Sequence, residues 1–532
     1  MLLPRPLSEE RLPGRFTLTS RMVLHADSAA LPAATLLAGY LENALGAVTR
    51  TSTVEGSIRL RVADLPHARG NAEAYRIHVS ERGIELTGQA REGLLHAVQT
   101  FRQLLPPTAA PTFAPSNPHH AWDVPCVMVL DAPRLRWRGL MLDVARHFTP
   151  VAGVLRLLDL MALHRLNVMQ LHLTDDQGWR LEIAKYPRLT EIGGRRKAAP
   201  ADPADPSCRA TGPAHEGWYT RSDIHTIITH AARRGITVVP EIEQPGHVQA
   251  ALAAYPGLGN NPRERVGVWD RWGINDRTVN AEHGTLGFFT DVLDEVMDMF
   301  PSAYVHLGGD ECSTQEWDSS PAAVARAKEL GLAGTGALSG WMMRCLADHL
   351  SGRGRRAVGW DEVADGPLRQ NTVVMSWHGA EVAESAAERG FDVVLAPWRQ
   401  TYFDLHQSAE GEPRAQKGVL TLADSYAFDP FTGRFDADLS QRLLGVQCQL
   451  WTEYIASLDH LEYMAFPRVC AFAERAWGHG GDYSGFLARL PSHLRRLDGL
   501  GVRYRRPTAE DMVPVHSGEA AVTDPVDGRP SR

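Results

Sequence analysis

The sequence predicts a (β/α)8 barrel preceded by a small α/β domain. Three observations carry that prediction. Eight short apolar runs recur between residues 139 and 451, with helical patterns between most of them. Before them lie segments that alternate apolar and polar residues, followed by one helix. A proline-rich stretch at 106–120, which cannot hold regular structure, separates the two regimes. Strands joined by helical crossovers run parallel, and eight of them close a barrel.

In chain order, residues 57–64 alternate apolar and polar, as do 74–80 and 84–86 on either side of a turn at Glu81-Arg82-Gly83. Leu94, Leu95, Val98, Phe101 and Leu105 then recur at helical spacing from Arg91 to Leu105, which makes a small sheet covered by a helix. The eight runs are Gly139–Asp143, Val168–Leu173, Thr237–Glu243, Ala303–Leu307, Arg356–Trp360, Thr372–Trp377, Val393–Trp398 and Val446–Trp451. Helices are expected at Val151–Arg165, Ser222–Gly235, Phe288–Met299, Leu338–Leu350, Glu381–Arg389 and Leu461–Trp477, with none of length in 399–444. Long loops at 194–217 and 256–283, the second carrying Trp269 and Trp272, follow strands and should overhang the working face. The expected division is 1–130 for the N-terminal α/β domain with its connector, 131–507 for the barrel, and 508–532 for a disordered polar tail.

Composition narrows the function. At 532 residues the chain suits about two or three domains. Hydrophobic residues at 44% and charged residues at 22% are those of an ordinary globular protein. A net charge of -8 with no broad basic face excludes nucleic acid as the expected partner. No run is long and apolar enough for a membrane span, and Met1 to Arg5 opens no export signal. The expected location is therefore cytoplasmic, or secreted if an N-terminal signal was removed. The six cysteines fit no CxxC or zinc spacing and read as free thiols in a reducing compartment.

If the barrel closes, the first residues past each strand share one cavity: Arg146 and His147, Asp175 and Asp176, Glu243 and His247, Asp310 and Glu311, Trp360 to Glu362, Trp377 and His378, Trp398, Tyr402 and Asp404, and Trp451 and Glu453. A lone Asp past a strand is often only a helix cap, and a lone Trp is more often packing. Contributions from every strand weaken those readings. Carboxylates accept hydroxyl hydrogens and flat rings cover the C–H face of a sugar, so the set suits a neutral polyhydroxyl ligand. Metal chemistry is the chief rival, given His147, His172, His247 and His306 among carboxylates. These histidines come singly from different strands with no His-x-His pair, so neither a metal nor another cofactor is expected.

The stretch His306-x-Gly308-Gly309-Asp310-Glu311 resembles the signature of the glycoside hydrolase family 20 β-N-acetylhexosaminidases. The likeness extends through Arg138-Gly139-x-Met141-Leu142-Asp143-x-x-Arg146-His147-Phe148, His172-Leu173-Thr174-Asp175-Asp176-Gln177-Gly178-Trp179-Arg180, Pro240-Glu241-Ile242-Glu243-x-Pro245-Gly246-His247, Gly359-Trp360-Asp361-Glu362, Leu450-Trp451-Thr452-Glu453, Phe466-Pro467-Arg468 and Ala473-Glu474-Arg475-Ala476-Trp477.

The resemblance implies exo-cleavage of terminal β-linked N-acetylglucosamine or N-acetylgalactosamine, from a small carbohydrate such as a chito-oligosaccharide or a glycan end. Most retaining glycosidases use two protein carboxylates about 5 Å apart, but this family uses the substrate's 2-acetamido oxygen as nucleophile. By the resemblance, Glu311 is the general acid and base, which calls for a raised pKa and partial burial. Asp310 holds and stabilises the acetamide. Asp175 and His247 are similar to the relay that tunes Glu311, and Arg146, Asp404 and Glu453 to the hydroxyl-binding set. Tyr402 resembles the donor to the acetamido oxygen, and Trp360, Trp377 and Trp451 the aromatic box. Glu243 departs from the Asp often found there, which leaves open how the His247 loop is braced. A disaccharide-releasing or transglycosylating relative and a catalytically silent sugar-binding protein are the alternatives. Sugar preference and oligomeric state stay open.

Overall fold

The structure, a computed structural model, describes residues 2–19, 22–45, 49–51, 58–106, 121–198 and 214–511. The proline-rich connector beyond 106, residues 199–213 of the first long loop and the tail from 512 lie outside the described residues.

The N-terminal part is a seven-stranded sheet built from Ser8–Leu18, Val23–Ala26, Thr49–Thr51, Ile58–Val62, Tyr75–Ser80, Gly83–Gly88 and Trp122–Asp131. The expected hairpin is present, with Ser80 paired to Gly83 across a two-residue turn. The helix Arg91–Leu104 lies on the sheet through Leu94, Leu95, Val98 and Phe101, all buried. Each such side chain contributes about 1.5–3 kcal/mol when taken from water. The outer strand Ser8–Leu18 is polar and mostly exposed, so it carries no alternating signal. It is a strand because Trp122–Asp131 returns to pair with it, a contact more than a hundred residues away. The structure adds a helix, Leu31–Leu45, to those expected.

The eight expected barrel strands all form: Trp137–Asp143, Val168–His172, Thr237–Glu241, Tyr304–His306, Arg356–Trp360, Val373–Ser376, Asp392–Leu395 and Leu443–Leu450. Each pairs in parallel with the next, and the eighth closes on the first with Gly445 opposite Trp137. Helices follow the strands as expected at Val151–Leu163, Arg221–Ala232, His283–Met299, Leu338–Gly352 and Ala380–Glu388. The expected helix over Leu461–Trp477 is instead two, Leu458–Ala465 and Arg468–Trp477. Pro467 divides them, because it has no N–H to donate and its ring crowds the preceding turn. A further helix, Tyr483–Gly499, packs after them through Phe486, Leu490 and Leu497. Residues 508–511, counted with the tail in the sequence, are held in place: Asp511 is buried and accepts from Arg505 (2.7 Å) and from the Thr508 amide (2.7 Å).

Three polar contacts tie the parts together. Arg138 pairs with Glu73 (2.5 Å), and Arg165 with Asp131 (2.5 Å), which also accepts from the Trp477 indole (2.8 Å). All are buried or nearly so, where charge-assisted bonds are strongest. The barrel interior holds an apolar layer of Trp137, Val168, Val239, Val358, Val373 and Val394. Above it runs an amide chain, in which Gln447 donates to Gln170 (2.7 Å) and Gln170 to Glu241 (2.7 Å). That chain leads from the core to the strand ends.

Candidate active site

All eleven residues singled out as catalytic or substrate-binding line one cavity of about 580 Å³ at the C-terminal ends of the strands. The first strand ends at Asp143, whose carboxylate accepts from the amides of Ala145 (2.8 Å) and Arg146 (3.1 Å) and so turns Arg146 into the cavity. The Arg146 guanidinium is then fixed by Asp143 (3.2 Å), Gln177 (2.9 Å) and Asp175 (2.8 Å). Asp175 sits on a tight hairpin in which Thr174 pairs with Trp179. Burial works against its charge, but Arg146, His247 and His172 hold it well below the usual carboxylate range.

Charges of alternating sign run upward from the barrel. Glu241 lies 2.8 Å from His172 Nδ1, and Asp175 lies 3.0 Å from His172 Nε2. A ring with a carboxylate at each nitrogen carries both hydrogens. Despite burial, Glu241 and Asp175 lift the His172 pKa to about 10. His247 repeats the pattern one level higher. Its Nδ1 is 3.5 Å from both Asp175 and Asp176, and its Nε2 is 3.3 Å from Glu311 and 3.6 Å from Asp310. Burial opposes the imidazolium, yet Asp175 and the adjoining carboxylates keep it charged. Asp310 is pushed up to about 6, chiefly by burial, with the Glu311 charge adding to it and His247 opposing.

The turn between the fourth strand and the acids depends on glycine. Gly308 and Gly309 have φ of +66° and +97°, and Glu311 itself has φ +47°. A left-handed conformation at a residue with a side chain costs about 1–2 kcal/mol, and His247 (φ 53°) adopts it too. A Cβ on Gly308 would lie 1.7 Å from Glu243 Oε2. The longer arm of Glu243 thus fills the space beside Gly308. Burial, then Asp310, pushes its carboxyl well above the usual range, and neither oxygen has a hydrogen-bond partner among the described residues. The His247 loop is braced through backbone, by the Glu243 amide on Thr174 Oγ1 (2.9 Å) and the Val279 amide on the Pro245 carbonyl (3.1 Å). Gly308→Ala is expected to destabilise the protein by about 2–4 kcal/mol and to abolish turnover, since either Glu243 or the acids must shift. Thermal melting and a turnover assay check it, and a variant with unchanged melting and activity would refute the tight fit.

The opposite wall is aromatic. Trp360 and Trp451 have centroids 6.0 Å apart, Tyr402 and Trp451 6.1 Å, and Trp377 and Tyr402 6.4 Å and stacked. Trp360 is locked by its indole N–H on Glu241 (3.0 Å) and Trp377 by Glu362 (3.2 Å). At the far end, burial and Glu453 push Asp404 to about 8, while Glu453 stands 3.8 Å from Arg146. Oδ1 of Asp310 and Oδ1 of Asp404 are buried without a hydrogen-bond partner among the described residues. Polar groups left open beside flat rings suit a hydroxylated ligand.

A model of "Glycosyl hydrolase family 20, catalytic domain" matches residues 135–479, and one of that family's domain 2 matches residues 1–132. The chain belongs to glycosyl hydrolase family 20. It is 36% identical to a β-hexosaminidase of Porphyromonas gingivalis over 446 residues, which are 82% of this chain and 55% of that one. The chain thus spans about half the length of that relative. To a β-N-acetylhexosaminidase of Cellulomonas fimi it is 32% identical, over 94% of this chain and 95% of the other. Among solved structures it is similar to the Vibrio harveyi family 20 exo-β-N-acetylglucosaminidase in complex with N-acetylglucosamine, with TM-score 0.84 and 34% identity over 95% of this chain and 78% of that one.

Further side chains of this family 20 protein belong to the site. Glu241, which belongs to the Pro240-to-His247 motif but has no role assigned from the sequence, orients His172 and Trp360 from below; that role exists only because closure brings the strands together there. Trp272 lines the cavity from the long loop at 256–283, which overhangs the mouth as expected, and Lys417 lines it from a short strand. The described part of the other long loop packs on the loop after the first strand through His215, which accepts from the Phe148 amide (2.8 Å). Ligand atoms of His247, Asp310 and Glu311 lie within 4.8 Å of one another, as do those of Asp175, Asp176 and His247. The imidazole of both sets is that of His247, whose Nδ1 stands 3.5 Å from Asp175 and whose Nε2 stands 3.3 Å from Glu311. Among the described residues no helix is long and apolar enough to cross a membrane.

Proposed function

We propose that the protein is an exo-acting β-N-acetylhexosaminidase that works by retaining, substrate-assisted catalysis. One observation carries the reading most: adjacent Asp310 and Glu311 line one cavity, beside an imidazolium and opposite an aromatic wall. In this reading the acetamido methyl lies among Trp360, Trp377 and Trp451, and Arg146, Asp404 and Glu453 hold the ring hydroxyls. Tyr402 donates to the acetamido oxygen. Bending that oxygen under C1 supplies the nucleophile at high effective concentration.

The first step forms the C1–O bond to the acetamide and breaks the bond from C1 to the leaving oxygen, which takes the proton of Glu311. Asp310, ionised, accepts the acetamide N–H and offsets the charge of the oxazolinium ring. Water then attacks C1, gives its proton to Glu311, and the ring opens to restore the acetamide with retained configuration. Asp175 and His247 act through Glu311 and Asp310: the His247 ring stands 3.3 Å from Glu311 and 3.6 Å from Asp310 and fixes both acids in place.

A panel of aryl β-glycosides tests the reading. The N-acetylglucosaminide is expected to turn over at least about a thousandfold faster than the glucoside, which lacks the acetamide. Comparable rates on the two would rule out substrate assistance.

A further inference from the structure

A second chamber, also of about 580 Å³, adjoins the first cavity. The two share Ile274, Glu311 and Trp377, so the Glu311 side chain borders both. The chamber is built by the loop after the fifth strand meeting the start of the helix Leu338–Gly352. The two backbones touch there: a Cβ on Gly340 would lie 3.0 Å from Gly366 Cα and 3.1 Å from Pro367 Cδ.

Besides Glu311, its polar lining is Ser313, Ser339, Glu362, Asp365 and His378, and no lysine or arginine lines it among the described residues. His378, the one base, is 2.7 Å from the Asp361 carboxylate and so is already paired. Arg389, just outside, stands 3.9 Å from Asp365. Glu362 already accepts from the Trp377 indole N–H (3.2 Å), and burial, then Asp310, pushes its carboxyl well above the usual carboxylate range.

If the proposed function holds, the terminal sugar fills the aromatic cavity on one side of Glu311. Whatever is bonded to the oxygen that Glu311 protonates then lies on the other side. We propose that the second chamber is the leaving-group site, and that it takes a neutral or amino-bearing sugar in preference to one carrying a carboxylate or sulfate. Hydroxyls find the two serines and two carboxyls there. An anion finds carboxyl groups and no unpaired cation.

The test uses the wild-type protein and four substrates with the same terminal N-acetylglucosamine: a p-nitrophenyl glycoside, and disaccharides to N-acetylglucosamine, glucosamine and glucuronic acid. At low salt, kcat/KM for the neutral and amino disaccharides is expected to exceed that for the uronate at least tenfold. Ser339→Trp, which fills the chamber, is expected to lower kcat/KM for the neutral disaccharide at least tenfold relative to the aryl glycoside. If the aryl glycoside is not cleaved, the proposed function fails and this site with it. If it is cleaved but the three disaccharides react alike, or Ser339→Trp slows both substrates equally, the chamber assignment alone is overturned. Should Ser339→Trp not fold, the wild-type series decides.

Discussion

Glu311→Ala is expected to lower turnover of N-acetylglucosaminides with sugar leaving groups by about 10²–10⁴-fold, while substrates with a good phenolate leaving group lose far less. The split follows from the chemistry proposed for Glu311. A sugar alkoxide cannot depart without a proton, whereas a nitrophenolate can. The side chain is well placed for that work: it is partly buried, borders both cavities, and stands 3.3 Å from His247. Steady-state kinetics on the two substrate classes check it. Equal losses on both would remove Glu311 from the acid role and leave it a structural one.

Asp310→Asn is expected to lower kcat on both classes by about 10²–10³-fold, the usual effect of removing one well-placed electrostatic partner from a forming charge. Asparagine keeps an acceptor for the acetamide N–H but has no charge, so the loss isolates the electrostatic contribution. The same variant tests a pH dependence. Burial holds the Asp310 pKa at about 6, and in the proposed mechanism the working form is the carboxylate. Activity should therefore be full above that value and fall as the pH drops through it, because protonation removes the charge that steadies the oxazolinium. In Asp310→Asn this acid limb of kcat/KM should vanish, since no group at position 310 then titrates. A limb that persists unchanged near pH 6 would assign it to another group.

Much of the barrel, and which residues line its mouth, is legible in the chain. Val238-Val239, Val305 and Val393-Val394 are short β-branched runs that only a doubly covered strand explains, and the residues just beyond them are acids and tryptophans. Both signals are local, because periodicity and residue type are properties of neighbours. The N-terminal sheet was less legible. Ser8–Leu18 has no pattern of its own and exists through hydrogen bonds to Trp122–Asp131. The division of the last expected helix at Pro467 is signalled by one residue inside an apolar repeat that runs across it.

The sequence by itself determined the order of strands and crossovers, the carboxylate pair at Asp310 and Glu311, and the aromatic character of the ligand wall. Only the tertiary structure decided how those groups are charged and spaced. The stack from Glu241 through His172 and Asp175 to His247 draws on residues from 172 to 247 that meet because the barrel closes, and its alternating signs exist only at contact distance. The fit of Glu243 beside Gly308 and the chamber beyond Glu311 have the same origin. Each is set by the separation of segments far apart in the chain, which local pattern does not encode.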